Sequence, residues 1–274
     1  MKEINSQTMK LIEHRLHRTS KTCPKHPEYH LVYLDGFDKI EPFCEACILD
    51  KNKAQEQRMV KQVKEQNTRG YLRRQSLVDR NEVFNYTFDN FIVPPAKEQG
   101  QEPLEAIAKR QARKIAGAYF KYPNKKGNSL LYGNAGAGKT HLAMAILNAV
   151  NDNSEPMVRC LFISVNKLIR EMKNWFNDKT GIWSPKHVTD VVKKANVVVL
   201  DDLGAESANN MATSFVQDTI FDIYESNQRI ITTTNLSMEE LYRTYHSRLV
   251  SRMQEGDRSR VIDFTKIEDK RTRI

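Results

Sequence analysis

Ser129-Leu130-Leu131-Tyr132-Gly133-Asn134-Ala135-Gly136-Ala137-Gly138-Lys139-Thr140-His141-Leu142-Ala143 passes from a short strand-like run through a glycine-rich turn into helix-forming residues. Gly133 to Thr140 fit G-x-x-x-x-G-K-[ST] in full, and a strand before the loop with a helix after it is the setting such a motif requires. Glycine at 133, 136 and 138 allows a tight turn whose N–H groups point inward, where they and the helix N-terminus favour phosphate. Lys139 is placed to reach the β- and γ-phosphates of a nucleoside triphosphate, and the Thr140 hydroxyl to ligate Mg2+. The expected nucleotide-binding set is Gly133, Asn134, Ala135, Gly136, Ala137, Gly138, Lys139, Thr140 and His141.

Val197-Val198-Val199-Leu200-Asp201-Asp202 reads as a buried parallel strand ending in two acids. A parallel strand delivers its last side chains to the carboxyl edge of the sheet, beside the phosphate loop. Asp201 is expected to hold Mg2+ through water there, and Asp202 to position or deprotonate the attacking water. Asp202 is one methylene shorter than a glutamate, which suits slow hydrolysis and a timed switch. Asn235 follows the β-branched run that ends at Thr234. It reads either as a turn residue before a helix start at Leu236-Ser237 or as a side chain that orients the water from the neighbouring strand. Arg248 and Arg252 lie four apart on one face of a helix expected over Met238 to Gln254, and Arg271 and Arg273 follow near the end. The γ-phosphate needs positive charge beyond Lys139. An arginine from a neighbouring subunit supplies it, Arg252 being the first candidate and Arg248 the second.

Strands and helices alternate through this region. Helices are expected over Pro103 to Tyr119, from the phosphate loop to Asn148, over Asn166 to Phe176 and over Asn210 to Ser226. Further strands are expected over Val158 to Val165, Arg229 to Thr234 and Arg260 to Phe264. That alternation implies an α/β fold, a parallel sheet with helices on both faces. Residues 51–80 hold nine Lys/Arg against three Asp/Glu and only scattered apolar residues, so a basic, solvated helical linker over 51–83 is expected ahead of a compact domain over 84–274.

Residues 1–50 differ in kind. After a short amphipathic helix come Cys23-Pro-Lys-His26 and Cys44-Glu-Ala-Cys47, with seventeen residues between the pairs. Three thiolates and one imidazole make a closed structural Zn2+ site, and Tyr29 to Phe43 can form the hairpin between the pairs. Metal binding would then fold a segment too short to build a core. His30 rivals His26 as the fourth ligand. Cys160 sits in an expected strand and reads as core. The 274-residue chain carries 43 Lys+Arg against 34 Asp+Glu, a formal charge of +9, which favours an anionic partner weakly. The longest apolar run, Leu142 to Leu147, is far short of the ~20 residues that span a bilayer. Met1 to Arg18 mixes both charge signs around no signal-like core. A cytoplasmic protein with no membrane partner is expected.

Tyr86–Phe91 (YTFDNF), the loop GNAGAGKTHLA, FISVNKLIREMK, VVVLDDLGAE, IITTTNLS and RLVSRM together resemble the DnaC/DnaI helicase-loader branch of the AAA+ ATPases, from about Phe84 to Ile274. The N-terminal cysteine cluster resembles that of the zinc-containing DnaI-type loaders of Gram-positive bacteria and their phages. The resemblance implies an AAA+ sheet with a small zinc-binding, helicase-docking domain over 1–50. It implies ATP, Mg2+ and Zn2+ as cofactors. Its implied partners are a hexameric DnaB-like replicative helicase, single-stranded DNA and sibling loader subunits. By motif position Asn235 falls on sensor 1, Arg252 on the trans-acting arginine finger with Arg248 one turn earlier, and Arg271 near a terminal sensor-2-like arginine. The alternatives are an IstB-like transposition ATPase, against which the cysteine cluster argues, and a non-hydrolysing helicase-binding adaptor or inhibitor, against which Lys139, Asp201 and Asp202 argue. An initiator of the DnaA kind is disfavoured because a duplex-reading helix-turn-helix would be expected after the ATPase.

Overall fold

The computed structural model describes residues 14–37, 39–96, 100–206, 212–257 and 260–270; Arg271 lies outside them. The chain divides into two compact units, Met1–Lys64 and Glu65–Ile274.

In the first unit β1 (Leu16–Thr22) pairs antiparallel with β2 (His30–Leu34), with a register shift between Arg18 and Thr22. Val32 also bridges to Phe43, which brings the second cysteine pair back beside the first. Leu16–Thr22 is therefore strand, whereas the helix expected before it falls on residues outside those described. Helix α1 (Glu45–Arg69) begins in this unit, has its last five residues in the second, and buries none of its residues. Among the described hydrophobic residues of this unit only Cys23, Val32 and Cys44 are buried. Among the described residues that is a small core, of the size at which domains usually draw on a metal, disulfides or a partner.

The second unit runs α2 (Tyr71–Gln75), a 3₁₀ turn (Asn81–Asn85), α3 (Leu104–Lys121), β3 (Ser129–Tyr132), α4 (Lys139–Asn153), β4 (Cys160–Ser164), α5 (Val165–Asp178), α6 (Pro185–Lys194), β5 (Val197–Leu203), α7 (Ser214–Ser226), β6 (Ile230–Thr234), α8 (Met238–Thr244), α9 (Ser247–Met253) and β7 (Val261–Asp263). The five strands form one parallel sheet in the order β4-β5-β6-β3-β7. Alternation along the strands sends Leu130, Ile163, Val198 and Ile230 to one face, under α5, α6 and α7. Leu131, Phe162, Val199 and Ile231 go to the other, under α3 and α4. This is the helix-flanked parallel α/β sheet read from the sequence.

Three features differ from that reading. Tyr71, Leu72, Leu77 and Val78 are buried, although they were expected in a solvated linker. Leu77 bridges in parallel to Ile163, its N–H donates to Phe162 O at 2.8 Å, and Ser76 Oγ accepts from Phe162 N–H at 2.8 Å. Edge strand β4 needs partners for its backbone groups, and this segment supplies them. The single helix expected over Met238 to Gln254 is two helices, α8 and α9. Tyr245, 2% exposed, turns extended between them to reach Glu206 with its hydroxyl, and His246 N–H donates to Gln217 Oε1. Helix α6 was not anticipated. Its Val188, Val191 and Val192 face the core from a sequence too short and too mixed to stand out.

Candidate functional site

β3 ends at Tyr132 and α4 begins at Lys139, so the loop between them lies at the carboxyl edge of the central strands. Gly138 caps α4 with φ 96°, a left-handed conformation that glycine adopts without strain. Lys139 is 5% exposed, and its Nζ donates to Gly133 O at 2.7 Å, Asn134 O at 2.6 Å and Asn235 Oδ1 at 2.7 Å. Asn235 Nδ2 in turn donates to Asp202 Oδ1 at 2.7 Å. The loop lysine, the residue after β6 and the second acid of β5 are thus one chain of contacts. Asp202 itself has φ 58°, which turns its carboxylate out of the strand toward Asn235.

Asp201 holds the other side of the site. Its Oδ2 accepts from Thr140 Oγ at 3.2 Å and its Oδ1 from Thr233 Oγ at 2.7 Å, while Thr233 Oγ accepts from Asp202 N–H at 2.8 Å. Burial pushes the Asp201 carboxyl up to about 6, opposed by the two threonine hydroxyls and helped by the nearby Asp202 and Asp79 charges. Thr140 hydroxyl and Asp201 carboxylate are hard oxygen donors of the kind Mg2+ takes with water and nucleotide phosphate, so the residues fit that ion. Thr233 was not anticipated. It sits inside a β-branched run with no local feature to mark it, and its role depends on β5 and β6 being neighbours.

These groups line a cleft of about 560 Å³ that also takes in Asp79, Arg80, Val83, Tyr86 and Phe162. Asp79 accepts from Ser164 Oγ at 2.5 Å. His141, expected to bind nucleotide, is stacked on Tyr86 with ring centroids 4.5 Å apart and donates from Nε2 to Thr87 O at 2.9 Å. Burial lowers its pKa and so favours the neutral ring, and the stack holds Tyr86 at the cleft wall, which His141 also lines.

The arginines are placed elsewhere. Arg248 lies 4.7 Å from the Phe221 ring centroid. Arg252 Nη2 pairs with Glu225 at 2.6 Å and its Nη1 with Glu255 at 3.2 Å, beside a surface depression with Tyr242 and Gln254. The structure does not bring either arginine to the cleft of its own chain.

In the first unit Cys23, His26, Cys44 and Cys47 put their ligand atoms within 4.8 Å of one another. His26 Nδ1 lies 3.9, 3.7 and 3.3 Å from the Cys23, Cys44 and Cys47 sulfurs, and Cys23 and Cys47 sulfurs are 3.5 Å apart. A tetrahedral ion with Zn–S near 2.3 Å sets its ligands about 3.8 Å apart, so this Cys3His set fits zinc. Burial opposes ionisation of the Cys23 thiol, but hydrogen bonds from the Lys25 and His26 N–H groups outweigh it and bring the thiol down to about 6. His30, the rival ligand, instead contacts Thr19 O at 3.1 Å. No helix among the described residues is long and apolar enough to cross a membrane.

Residues 83–259, more than half of the chain, match the family model described as the bacterial DnaA ATPase domain. The chromosomal replication initiator protein DnaA of Kosmotoga olearia is 27% identical over 185 residues, which cover 68% of this chain and 38% of that protein. DnaA of Thermosipho africanus is 28% identical over 171 residues, covering 62% of this chain and 35% of that protein. The chain spans little more than a third of the length of these relatives. A crystal structure of DnaI matches with a TM-score of 0.51 at 25% identity, covering 69% of this chain and 96% of DnaI. The sequence resemblance points to the loaders, whereas the family match is to DnaA. It takes in the phosphate loop, the acidic strand end, Asn235 and Arg252, and leaves the Cys3His cluster outside. With its helix-flanked parallel sheet and a match of that extent, the chain belongs to the family of bacterial DnaA ATPase domains within the AAA+ proteins.

Proposed function

We propose that this protein is an ATP-dependent loader of a hexameric, DnaB-like replicative helicase onto single-stranded DNA. The observation that carries the proposal is the pairing of two sites in one chain: the cleft of Lys139, Thr140, Asp201, Asp202 and Asn235, and a separate Cys3His cluster that lies outside the DnaA-matched region. The DnaI match supports it, since nearly the whole DnaI chain is covered.

The reaction follows from the cleft's own residues. Lys139 exchanges its loop carbonyls for the β- and γ-phosphates. Thr140 would ligate Mg2+ and Asp201 would hold it through water; when bound, that ion would supply charge neutralisation at the transferred phosphoryl group. Asp202, turned outward and held by Asn235, orients or deprotonates the attacking water. Val83 and Tyr86 offer an apolar wall to the base. Arg252 of a neighbouring loader subunit completes the charge at the γ-phosphate, with Arg248 behind it and Arg271 from the chain's terminal segment. The grip between subunits, and on single-stranded DNA, therefore depends on nucleotide state. Cys23, His26, Cys44 and Cys47 would hold Zn2+, whose binding would supply the folding energy of the helicase-docking module. Localisation in the cytoplasm goes with this role.

The test is capture of the source organism's replicative helicase by the tagged chain with ATP or with ADP. Wild type is expected to retain helicase under ATP and release it under ADP, and Lys139→Ala to lose the difference. Failure of the wild type to bind ATP with Mg2+, with helicase present or absent, would sink the reading. The DnaA name of the curated relatives favours a second reading, an initiator acting on duplex origin DNA. Duplex-specific binding without helicase capture would select it.

A further inference from the structure

After β7 the chain does not leave the phosphate loop. Phe264 N–H donates to Tyr132 O at 2.8 Å, and Asn134 Nδ2 donates to both Thr265 O at 2.8 Å and Ile267 O at 3.0 Å. Lys270 N–H then donates to Gly136 O at 3.2 Å, and its Nζ crosses to Ile92 O at 2.7 Å above the Phe91 ring. The contact is close along its length. A Cβ on Gly133 would lie 2.5 Å from Thr265 N, and one on Gly136 would lie 1.7 Å from Asp269 Oδ1. Phe264 and Ile267 are buried, so the segment is anchored to the core at 264 and 267. Asn134 joins two worlds: its side chain holds this segment, and its backbone O accepts from Lys139 Nζ at 2.6 Å.

We propose that Asn134 is a positioning residue through which residues 265–270 act as a strap on the phosphate loop, setting nucleotide affinity and sensing nucleotide occupancy. The sequence motif assigns position 134 only as a variable loop residue whose backbone meets phosphate, whereas the structure assigns its carboxamide to the strap. Lys139 leaves Asn134 O and Gly133 O when it takes up phosphate, so the loop carbonyls that bracket the strap contacts change partners at that moment. Because linkage is reciprocal, a strap that steadies the loop for nucleotide is itself steadied by nucleotide. The inference deepens the ATP reading of the same cleft and rests on it.

The experiment measures MgATP affinity by a fluorescent ATP analogue, and backbone hydrogen exchange over 133–138 and 264–270, for the full chain and for Asn134→Ala, Asn134→Asp and Lys270→Met. Wild type is expected to bind, and bound nucleotide to slow exchange at the Ile267 and Lys270 amides. Asn134→Ala and Asn134→Asp are expected to weaken binding about tenfold, a strap-to-loop coupling of about 1.4 kcal/mol. They should also remove the nucleotide effect on 264–270, with the thermal unfolding midpoint little changed. Lys270→Met, acting from the strap side, is expected to reduce the same coupling. No binding by wild type overturns the ATP reading and this inference with it. Binding by wild type with equal affinity in the Asn134 variants, or with exchange over 264–270 indifferent to nucleotide, overturns the strap alone.

Discussion

Asp201 is 7% exposed, and its two oxygens accept from Thr140 and Thr233, yet burial lifts its pKa to about 6. An unfolded chain would titrate this group near 3.9. The folded chain therefore takes up its proton at higher pH, and this group's contribution to stability falls as pH rises from about 4 to 6. Above that window the difference, about 3 kcal/mol, stands against the folded state. Asp201→Asn keeps an acceptor for Thr233 and removes the buried charge. Calorimetry without nucleotide is expected to show the variant unfolding at higher temperature than wild type at pH 7.5, the gap closing toward pH 4. Equal midpoints at pH 7.5 would mean that the carboxylate is solvated. The position of Asp201 at a strand end is legible from the run of valines before it. Its titration is not, because Thr233 and Asp79, which help to set it, come from 32 and 122 positions away.

The β1–β2 hairpin and the start of α1 form an element with almost no apolar interior. Metal binding is therefore expected to be its folding energy. Metal analysis should find one zinc per chain. Cys44→Ser or chelation should collapse the amide dispersion of residues 16–44 in NMR spectra while MgATP binding persists; a dispersed spectrum without metal would refute the zinc role. His26 Nδ1 faces the thiols while Nε2 contacts Asp50 Oδ2 at 3.0 Å, which fixes the tautomer. Asp50→Asn is expected to weaken zinc about 10- to 100-fold in a chelator competition. Spacing reveals the ligand pairs, because each pair is local. Choosing His26 over His30 needs the hairpin itself, whose strand pairing carries His30 to Thr19.

At the scale of the whole molecule the reading requires more than one copy. Arg252 is tied to Glu225 and Glu255, both partly exposed, and such surface pairs contribute only about 0–1 kcal/mol each. They hold the guanidinium at the surface, and under the proposed function a neighbour's γ-phosphate would displace them at little cost. Mixing Lys139→Ala subunits with Arg252→Ala subunits is expected to restore part of the ATPase activity that each lacks alone, measured as phosphate release with single-stranded DNA. An Arg252→Ala protein with undiminished hydrolysis and DNA binding would remove the finger assignment.

The phosphate loop, the acidic strand end, the paired cysteine motifs and the strand–helix alternation are all written in short windows of the chain, where backbone geometry and side-chain period act over a few residues. They suffice for the parallel α/β sheet and for the nucleotide chemistry expected at its edge. The burial of Tyr71 to Val78 against β4, the break at Tyr245, the Thr233 bridge and the strap on Asn134 could not be read that way. Asn134 meets Thr265 across 131 positions and Phe162 meets Ser76 across 86. Contacts so far apart along the chain exist only once the sheet has set the strand order, and a buried polar or edge group then takes whichever partner that order brings within reach.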